Sequence, residues 1–205
     1  LTKTGTAGYT IEKGVLHMQI GCVLMAAGLG RRFGGNKLTQ AAPDGVSLIE
    51  CALAAIPGEK LARVVVVTQY PEIEKLTKKY GFTSLENPHP EVGQSESIRI
   101  GLGALSDCDA VMFQVADQPK LQKETVAELI DFAQQHPERI VGLGHNGHRG
   151  NPCIFPARFY PELMTLTGDH GGRSVILAHE EELLLMEVSP AQLIDIDTPE
   201  QLEKL

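Results

Sequence analysis

The sequence predicts an α/β fold built on a mostly parallel sheet, and three observations carry that reading. Apolar, β-branched runs alternate with amphipathic helical stretches along the chain. Several of those runs, such as Arg63-Val64-Val65-Val66-Val67-Thr68, are continuous rather than alternating, as strands covered on both faces are. A glycine-rich loop follows the first run directly, in residues 20–37, IGCVLMAAGLGRRFGGNK. Such alternation implies right-handed crossovers between parallel strands. At 205 residues the chain fits one domain with a substantial core. No low-complexity linker or internal repeat divides it.

Residues 1–19 differ from the rest, with Thr, Gly and Lys and little periodicity. They read as a tail, native or expression-derived, ahead of a domain spanning residues 20–205. The first strand is Cys22-Val23-Leu24-Met25-Ala26-Ala27. Residues 47–56 have helical apolar spacing, with Ser47 as the cap and Pro57-Gly58 as the stop. Residues 63–68 are a strand. Residues 71–80 read as a charged amphipathic helix ended by Gly81, and a short strand follows over 83–85. A polar loop from Asn87 enters a helix running to about Leu105, and residues 110–115 form a strand ending at Ala116-Asp117-Gln118-Pro119. Residues 125–135 are helical and 139–143 extended. Residues 146–152 read as a glycine-containing turn before the apolar Cys153-Ile154-Phe155. Helices over 161–166 and 173–179 flank Gly168-Asp169-His170-Gly171-Gly172. Residues 183–188 and 193–196 are apolar strands, and Thr198-Pro199-Glu200 opens a last helix.

Composition narrows the function. Net charge is −8, which excludes broad attraction to nucleic acid or anionic membrane. A phosphate site must be local, and Arg31, Arg32 and Lys37 supply local charge in the glycine loop. No apolar run approaches a membrane-spanning length, and the start lacks a signal-peptide core, so a cytoplasmic location is expected. Cys22, Cys51, Cys108 and Cys153 are scattered without a C-x-x-C pair and read as buried free thiols.

A buried strand feeding a glycine loop brings bare backbone N–H groups up to phosphate oxygens. The dinucleotide fingerprint fails here, because Phe33 stands where the third glycine belongs and Glu50 falls inside a predicted helix. A Walker A loop also fails: Gly30 and Gly35 have its spacing, but Asn36 precedes Lys37 and Leu38 replaces the metal-binding hydroxyl. What remains, A-A-G-x-G-x-R-x-G-x-x-K, resembles the signature of sugar-phosphate-type nucleotidyltransferases. In open α/β sheets ligands sit beyond the carboxyl ends of strands. Asp117 and Asp197 fall at two predicted strand ends and together suit a Mg²⁺ that bridges phosphate oxygens. Taken singly, each equally suits a turn or a cap, and Asp197 ahead of Thr198-Pro199 fits an N-terminal cap. His145, His148 and Cys153 have the look of a zinc half-site, against the commoner reading as turn histidines. Glu180-Glu181-Glu182 reads as a solvated loop.

The segments AAGLGRRFGGNK, GQSESIRIGL, ADQP, RGNP, GDHGGR and DIDTPEQL, in this order and spacing, resemble the MobA-like NTP transferases. Within that group they are most similar to the molybdenum-cofactor cytidylyltransferases. The resemblance runs from about Ile20 to the C-terminus. It implies a three-layer Rossmann-like nucleotide-diphospho-sugar transferase fold, with one reversed strand in a mostly parallel sheet. It implies Mg²⁺-dependent transfer of a nucleoside monophosphate to a phosphate acceptor, releasing pyrophosphate. By resemblance, the Gly28–Gly35 loop wraps the triphosphate, with Gly28, Leu29, Gly30 and Arg31 among the nucleotide-binding residues and Arg32 and Lys37 stabilising its charge. Ala26 and Ala27 lie near the base, and Gln94, Ser95 and Ser97 contact the nucleotide. Asp117 is the main metal ligand and Asp197 the second. Arg149, Gly150, Asn151, Asp169, Gly171, Gly172 and Arg173 form the acceptor side, where a pterin phosphate docks.

The related guanylyltransferases tend to carry L-A-G-G where this chain has Met25-Ala26-Ala27-Gly28, so CTP is implied. Molybdopterin-type molybdenum cofactor is the implied acceptor, and a molybdenum hydroxylase or its accessory chaperone the implied partner. A phosphate monoester is already nucleophilic at neutral pH, so no general base is expected, and positioning and charge stabilisation carry the reaction. The alternatives are a guanylyl or sugar-phosphate version of the same chemistry and a non-catalytic cofactor-delivery module. The intact Lys37, Asp117 and Asp197 argue against the last.

Overall fold

The computed structural model describes residues 10–12 and 15–205, with side chains from residue 17 onward except that of Arg32. Much of the 1–19 segment lies outside the described residues. Of the rest, β1 (Thr10–Glu12) and β2 (Val15–His17) pair antiparallel in a ribbon separate from the main sheet. Met18 is 7% exposed. The Gln134 carboxamide clamps it, accepting from Met18 N at 2.8 Å and donating to Met18 O at 3.0 Å. Gln19 N donates to Asp109 at 2.7 Å. The chain is thus tied down before Ile20.

The seven-stranded sheet contains β3 (Ile20–Ala26), β4 (Arg63–Thr68), β5 (Thr83–Glu86), β6 (Ala110–Val115), β7 (Ile140–His145), β8 (His148–Pro156) and β9 (Leu183–Glu187). Their order is β5-β4-β3-β6-β8-β7-β9. Strand β8 runs against both neighbours, β6 and β7, while β3 to β6 pair in parallel and β7 pairs in parallel with β9. The expected mostly parallel sheet with one reversed strand is present.

Period-2 geometry sorts the continuous apolar strands onto two faces. Cys22, Leu24, Val66 and Met112 face one side with α1 (Leu48–Ala54), α2 (Pro71–Lys79), α4 (Lys123–Gln135) and α7 (Pro199–Leu202). Val23, Val65, Val111 and Phe113 face the other with α3 (Gln94–Ala104), α5 (Tyr160–Met164) and α6 (Gly172–Ala178). Three layers result. Helix α1 starts as expected, with the Glu50 carboxylate accepting from Ser47 N at 3.0 Å.

Two expectations change. The turn predicted over 146–152 is confined to Asn146 and Gly147, both left-handed at φ 48° and 77°. Asn-Gly joins β7 to β8 as a tight hairpin, the strongest short hairpin signal a sequence offers. Arg149, Gly150 and Asn151 consequently belong to a strand. Residues 193–196 are not a strand: Pro190–Leu193 forms a 3-10 turn, and Ile196 is a buried pin whose N–H donates to Asp117 O at 2.9 Å. Its apolar character reflects anchoring of the tail, not sheet pairing.

Helix α3 sits close on β3 because Gly101 has no side chain: a Cβ there would lie 2.5 Å from Val23 Cγ1. At Gly103, on the same helix, a Cβ would meet nothing within 4 Å. Gly101→Ala is expected to lose about 1–3 kcal/mol of stability by overpacking. Gly103→Ala is expected to gain about 0.5–1 kcal/mol from helix propensity. Urea denaturation of the two variants checks the pair, and equal effects would refute the packing account.

Candidate active site

The carboxyl ends of β3 and β6 open onto a cavity of about 370 Å³ lined by the glycine loop, Lys37, Asn87, Gln94, Ser97 and Asp117. The loop folds back on itself. Gly30 is left-handed at φ 58°, and a Cβ on it would lie 2.0 Å from Gly35 O, so only glycine closes this ring. A 3-10 turn over Arg31–Phe33 follows, then a second over Lys37–Thr39, where the Asn36 side chain accepts from Leu38 N at 3.1 Å.

This second turn delivers Lys37 to the strand ends. Its Nζ lies 2.8 Å from Asp117 Oδ2, 2.8 Å from Ile196 O and 3.4 Å from Asp197 Oδ1. Asp117 follows β6, and its Oδ1 is buried with no hydrogen-bond partner. Asp197 is not the cap of the last helix. Thr198 is, with its hydroxyl accepting from Gln201 N at 3.4 Å and Gln201 Oε1 accepting from Asp197 N at 2.7 Å. The Asp197 carboxylate is turned to Lys37 instead.

A further carboxylate, Asp195, escaped the sequence reading. It accepts from Gln118 Nε2 at 2.9 Å. Partial loss of water around its carboxyl, then repulsion from Asp117, raises its pKa; Gln118 opposes this, and Asp197 adds to the repulsion. The D-x-D spacing was the available signal.

A second cavity, of about 620 Å³, adjoins the first; Met25, Gln94, Val115 and Asp169 line both. Because β8 is reversed, its starting residues Arg149, Gly150 and Asn151 lie at the same sheet edge as the carboxyl ends of the parallel strands. They line this cavity with Asp169, Gly171, Gly172 and Arg173, so the residues assigned to the acceptor side lie together. Arg149 Nη1 is buried without a partner. The 168–172 loop is pinned over the start of α3, where Ser95 N donates to Gly168 O at 3.1 Å.

Of the residues assigned to the nucleotide, Ala27, Gly28, Leu29, Gly30, Arg31, Gln94 and Ser97 line the first cavity. Ala26 and Ser95 line neither, since Ala26 is fully buried at the end of β3 and Ser95 is held against Gly168. The side chain of Arg32 is outside the described residues. Sequence reasoning missed Asn87, 1% exposed, whose Nδ2 donates to Ser97 Oγ at 3.1 Å. It also missed residues 68–70 behind the glycine loop. The histidine signal dissolves: His145 Nδ1 lies 3.0 Å from Val188 O, and Cys153 Sγ donates to Gly150 O at 3.3 Å. Among the described residues no cluster of three or more His, Cys, Asp or Glu is arranged to hold a metal. All four cysteines are free; Cys22, Cys108 and Cys153 are buried as expected, whereas Cys51 is only half-buried, and burial drives the Cys153 thiol up to about 12.

The MobA-like NTP transferase domain matches residues 22–183. The chain belongs to that family. It is a nucleotidyltransferase. Among relatives of the MobA-like family, a molybdenum cofactor guanylyltransferase from Shewanella sp. (strain MR-4) is 23% identical over 199 residues, covering 93% of this chain and 96% of the relative. A nucleotidyl transferase from Methanothermobacter thermautotroptrophicus superposes with a TM-score of 0.74 at 22% identity, over 88% of this chain and 92% of that one. A CMP:2-keto-3-deoxy-manno-octonic acid synthetase complexed with CTP superposes with a TM-score of 0.71 at 14% identity, over 91% and 96%. These likenesses show the fold. No helix among the described residues is long and apolar enough to cross a membrane.

The residues present fit a hard divalent cation. Asp117 Oδ1 is an unpartnered carboxylate oxygen at the cavity, and such ions need only one or two protein carboxylates when waters and phosphates complete the shell. Lys37 balances Asp117 and Asp197 electrostatically, and side-chain exposures of 17% and 23% keep Lys37 and Asp117 incompletely screened. Removing the ammonium in Lys37→Met is expected to cost about 1–3 kcal/mol, because charged acceptors lose their donor. Added Mg²⁺ or Mn²⁺ is expected to raise the melting temperature of this variant more than that of the wild type. A smaller metal response in the variant would argue that Lys37 and the ion do not share these carboxylates.

Proposed function

We propose that this protein moves CMP from CTP onto the phosphate of a molybdopterin-type molybdenum cofactor, releasing pyrophosphate, with Mg²⁺ as the metal. One observation carries the reading: two adjoining cavities with common walls at Met25, Gln94, Val115 and Asp169, each lined by a charged residue that keeps a buried atom without a hydrogen-bond partner. Asp117 Oδ1 belongs to the first and Arg149 Nη1 to the second. A two-substrate transfer between phosphates needs this pairing, one pocket for the donor triphosphate and one cationic pocket for the acceptor phosphate.

In this reading the glycine loop holds the triphosphate through backbone N–H groups, and Lys37 offsets charge at the transferring phosphorus. Asp117 and Asp197 would hold Mg²⁺, which when bound supplies Lewis-acid neutralisation of the phosphates. Arg149 and Arg173 orient the acceptor so that its oxygen attacks opposite the departing pyrophosphate. No side chain need take a proton, since the acceptor phosphate is already ionised. The dinucleotide product would pass to a molybdenum hydroxylase or its chaperone, in the cytoplasm.

A guanylyl reading has its own support, in the relative named a guanylyltransferase. The Met25-Ala26-Ala27-Gly28 form of the loop supports the cytidylyl one. Pyrophosphate release with Mg²⁺, molybdenum cofactor and each of CTP, GTP, ATP and UTP distinguishes them. Release with CTP alone is expected. Preference for GTP would move the protein to the guanylyl reading, and binding of CTP without release would point to another acceptor phosphate. Asp117→Ala is expected to lose turnover with its circular dichroism unchanged, and full activity in that variant would remove the proposed metal site.

A further inference from the structure

Residues Thr68, Gln69 and Tyr70 leave β4 and turn toward α2 directly behind the glycine loop. Thr68 Oγ1 donates to Ala26 O at 3.0 Å, Gln69 Nε2 to Ala27 O at 2.8 Å, and Tyr70 Oη to Gly28 O at 2.9 Å. Three consecutive side chains thus bind three consecutive carbonyls. In a regular strand successive carbonyls point to opposite sides, so this corner marks where strand geometry gives way. The corner is itself locked, since Thr68 is 4% exposed and its Oγ1 also accepts from Tyr70 N at 3.1 Å.

The peptides here are trans, and in a planar trans peptide the N–H points away from the carbonyl it is bonded to. Holding the carbonyls of Ala26, Ala27 and Gly28 toward residues 68–70 turns the N–H groups of Ala27, Gly28 and Leu29 the other way. On that other side lies the 370 Å³ cavity, which Ala27, Gly28 and Leu29 line and Thr68, Gln69 and Tyr70 do not. Consecutive N–H groups aimed into one concavity form an anion-binding nest.

We infer that Thr68, Gln69 and Tyr70 are positioning residues for the nucleotide phosphates, acting by fixing the polarity of the glycine loop. They hold the carbonyls back so that only donors face the polyphosphate. A peptide that lost its anchor would be free to present an oxygen to the phosphate, exchanging attraction for repulsion. The inference rests on the nucleotidyltransferase reading and adds residues that touch neither substrate.

The test is calorimetric titration of the full chain with Mg²⁺ and CTP or GTP, whichever the wild type binds, against the corresponding monophosphate. The variants are Tyr70→Phe, which keeps the ring, and Gln69→Met, which keeps the length without the donor. Each is expected to weaken triphosphate binding about fivefold, the worth of one hydrogen bond, and the double variant more. Monophosphate affinity and melting temperature are expected to stay near wild type. Unchanged triphosphate affinity in both variants would overturn the inference. So would equal weakening of triphosphate and monophosphate with a lowered melting temperature, which would mark residues 68–70 as general support for the fold. A wild-type protein that binds no triphosphate would remove the functional reading, and the inference with it.

Discussion

The ammonium of Lys37, seated between Asp117, Asp197 and the carbonyl of Ile196, is the contact on which the site depends. It joins segments that are distant in the chain: the glycine loop after β3, the strand end after β6, and the tail after β9. Carboxylates gathered at one end of a sheet repel one another, and the Asp195 pKa, raised first by loss of water, is raised further by Asp117. A cation among them lets them stay together. The same cation holds the glycine loop down, because Lys37 follows it within one tight 3-10 turn. The Ile196 N–H bonded to Asp117 O then fastens the tail from the other side.

The reversed strand explains how one sheet edge serves two cavities. Had β8 run parallel, its carboxyl end, Phe155-Pro156, would have reached the site edge, and Arg149 to Asn151 would lie at the opposite end. The tight Asn146-Gly147 hairpin forces the reversal and brings Arg149 beside the end of β6. Loop 168–172 closes the far wall, fixed over the start of α3 by the bond from Ser95 N to Gly168 O. Helix α3 therefore contributes to both cavities through Gln94, while its Gly101 seats it against Val23.

Around the glycine loop the carbonyls of Ala26, Ala27 and Gly28 each have a side-chain donor, and Asn87 is bonded on both sides, to His89 N and Ser97 Oγ. Asp117 Oδ1 and Arg149 Nη1, whose residues line neighbouring cavities, are left unsatisfied, as are the buried side-chain oxygens of Gln114 and Gln118. The Asp117 charge is offset by Lys37, so what the fold leaves open there is one lone pair rather than a bare charge.

Most of the fold was legible in the sequence because its signals are local. Continuous Val runs, helical spacing, the Ser47 cap and the glycines that end helices act within a few residues, and they located nearly every element. The glycine loop, Lys37, Asp117 and the Arg149 and Gly168 segments stood out in the sequence as bare backbone and charge near predicted strand ends. What tertiary structure decided was partnership. Whether Asp197 caps a helix or faces a lysine depends on Thr198 taking the cap and on Lys37 arriving from 160 positions away in the chain. Ala26 and Ser95 carry the same letters whether they line a cavity or lie packed, and only their place in the fold separates the cases. The anchoring of Ala26, Ala27 and Gly28 by Thr68, Gln69 and Tyr70 left no motif, since hydrogen bonds between side chains and backbone 42 residues apart are set by strand register alone.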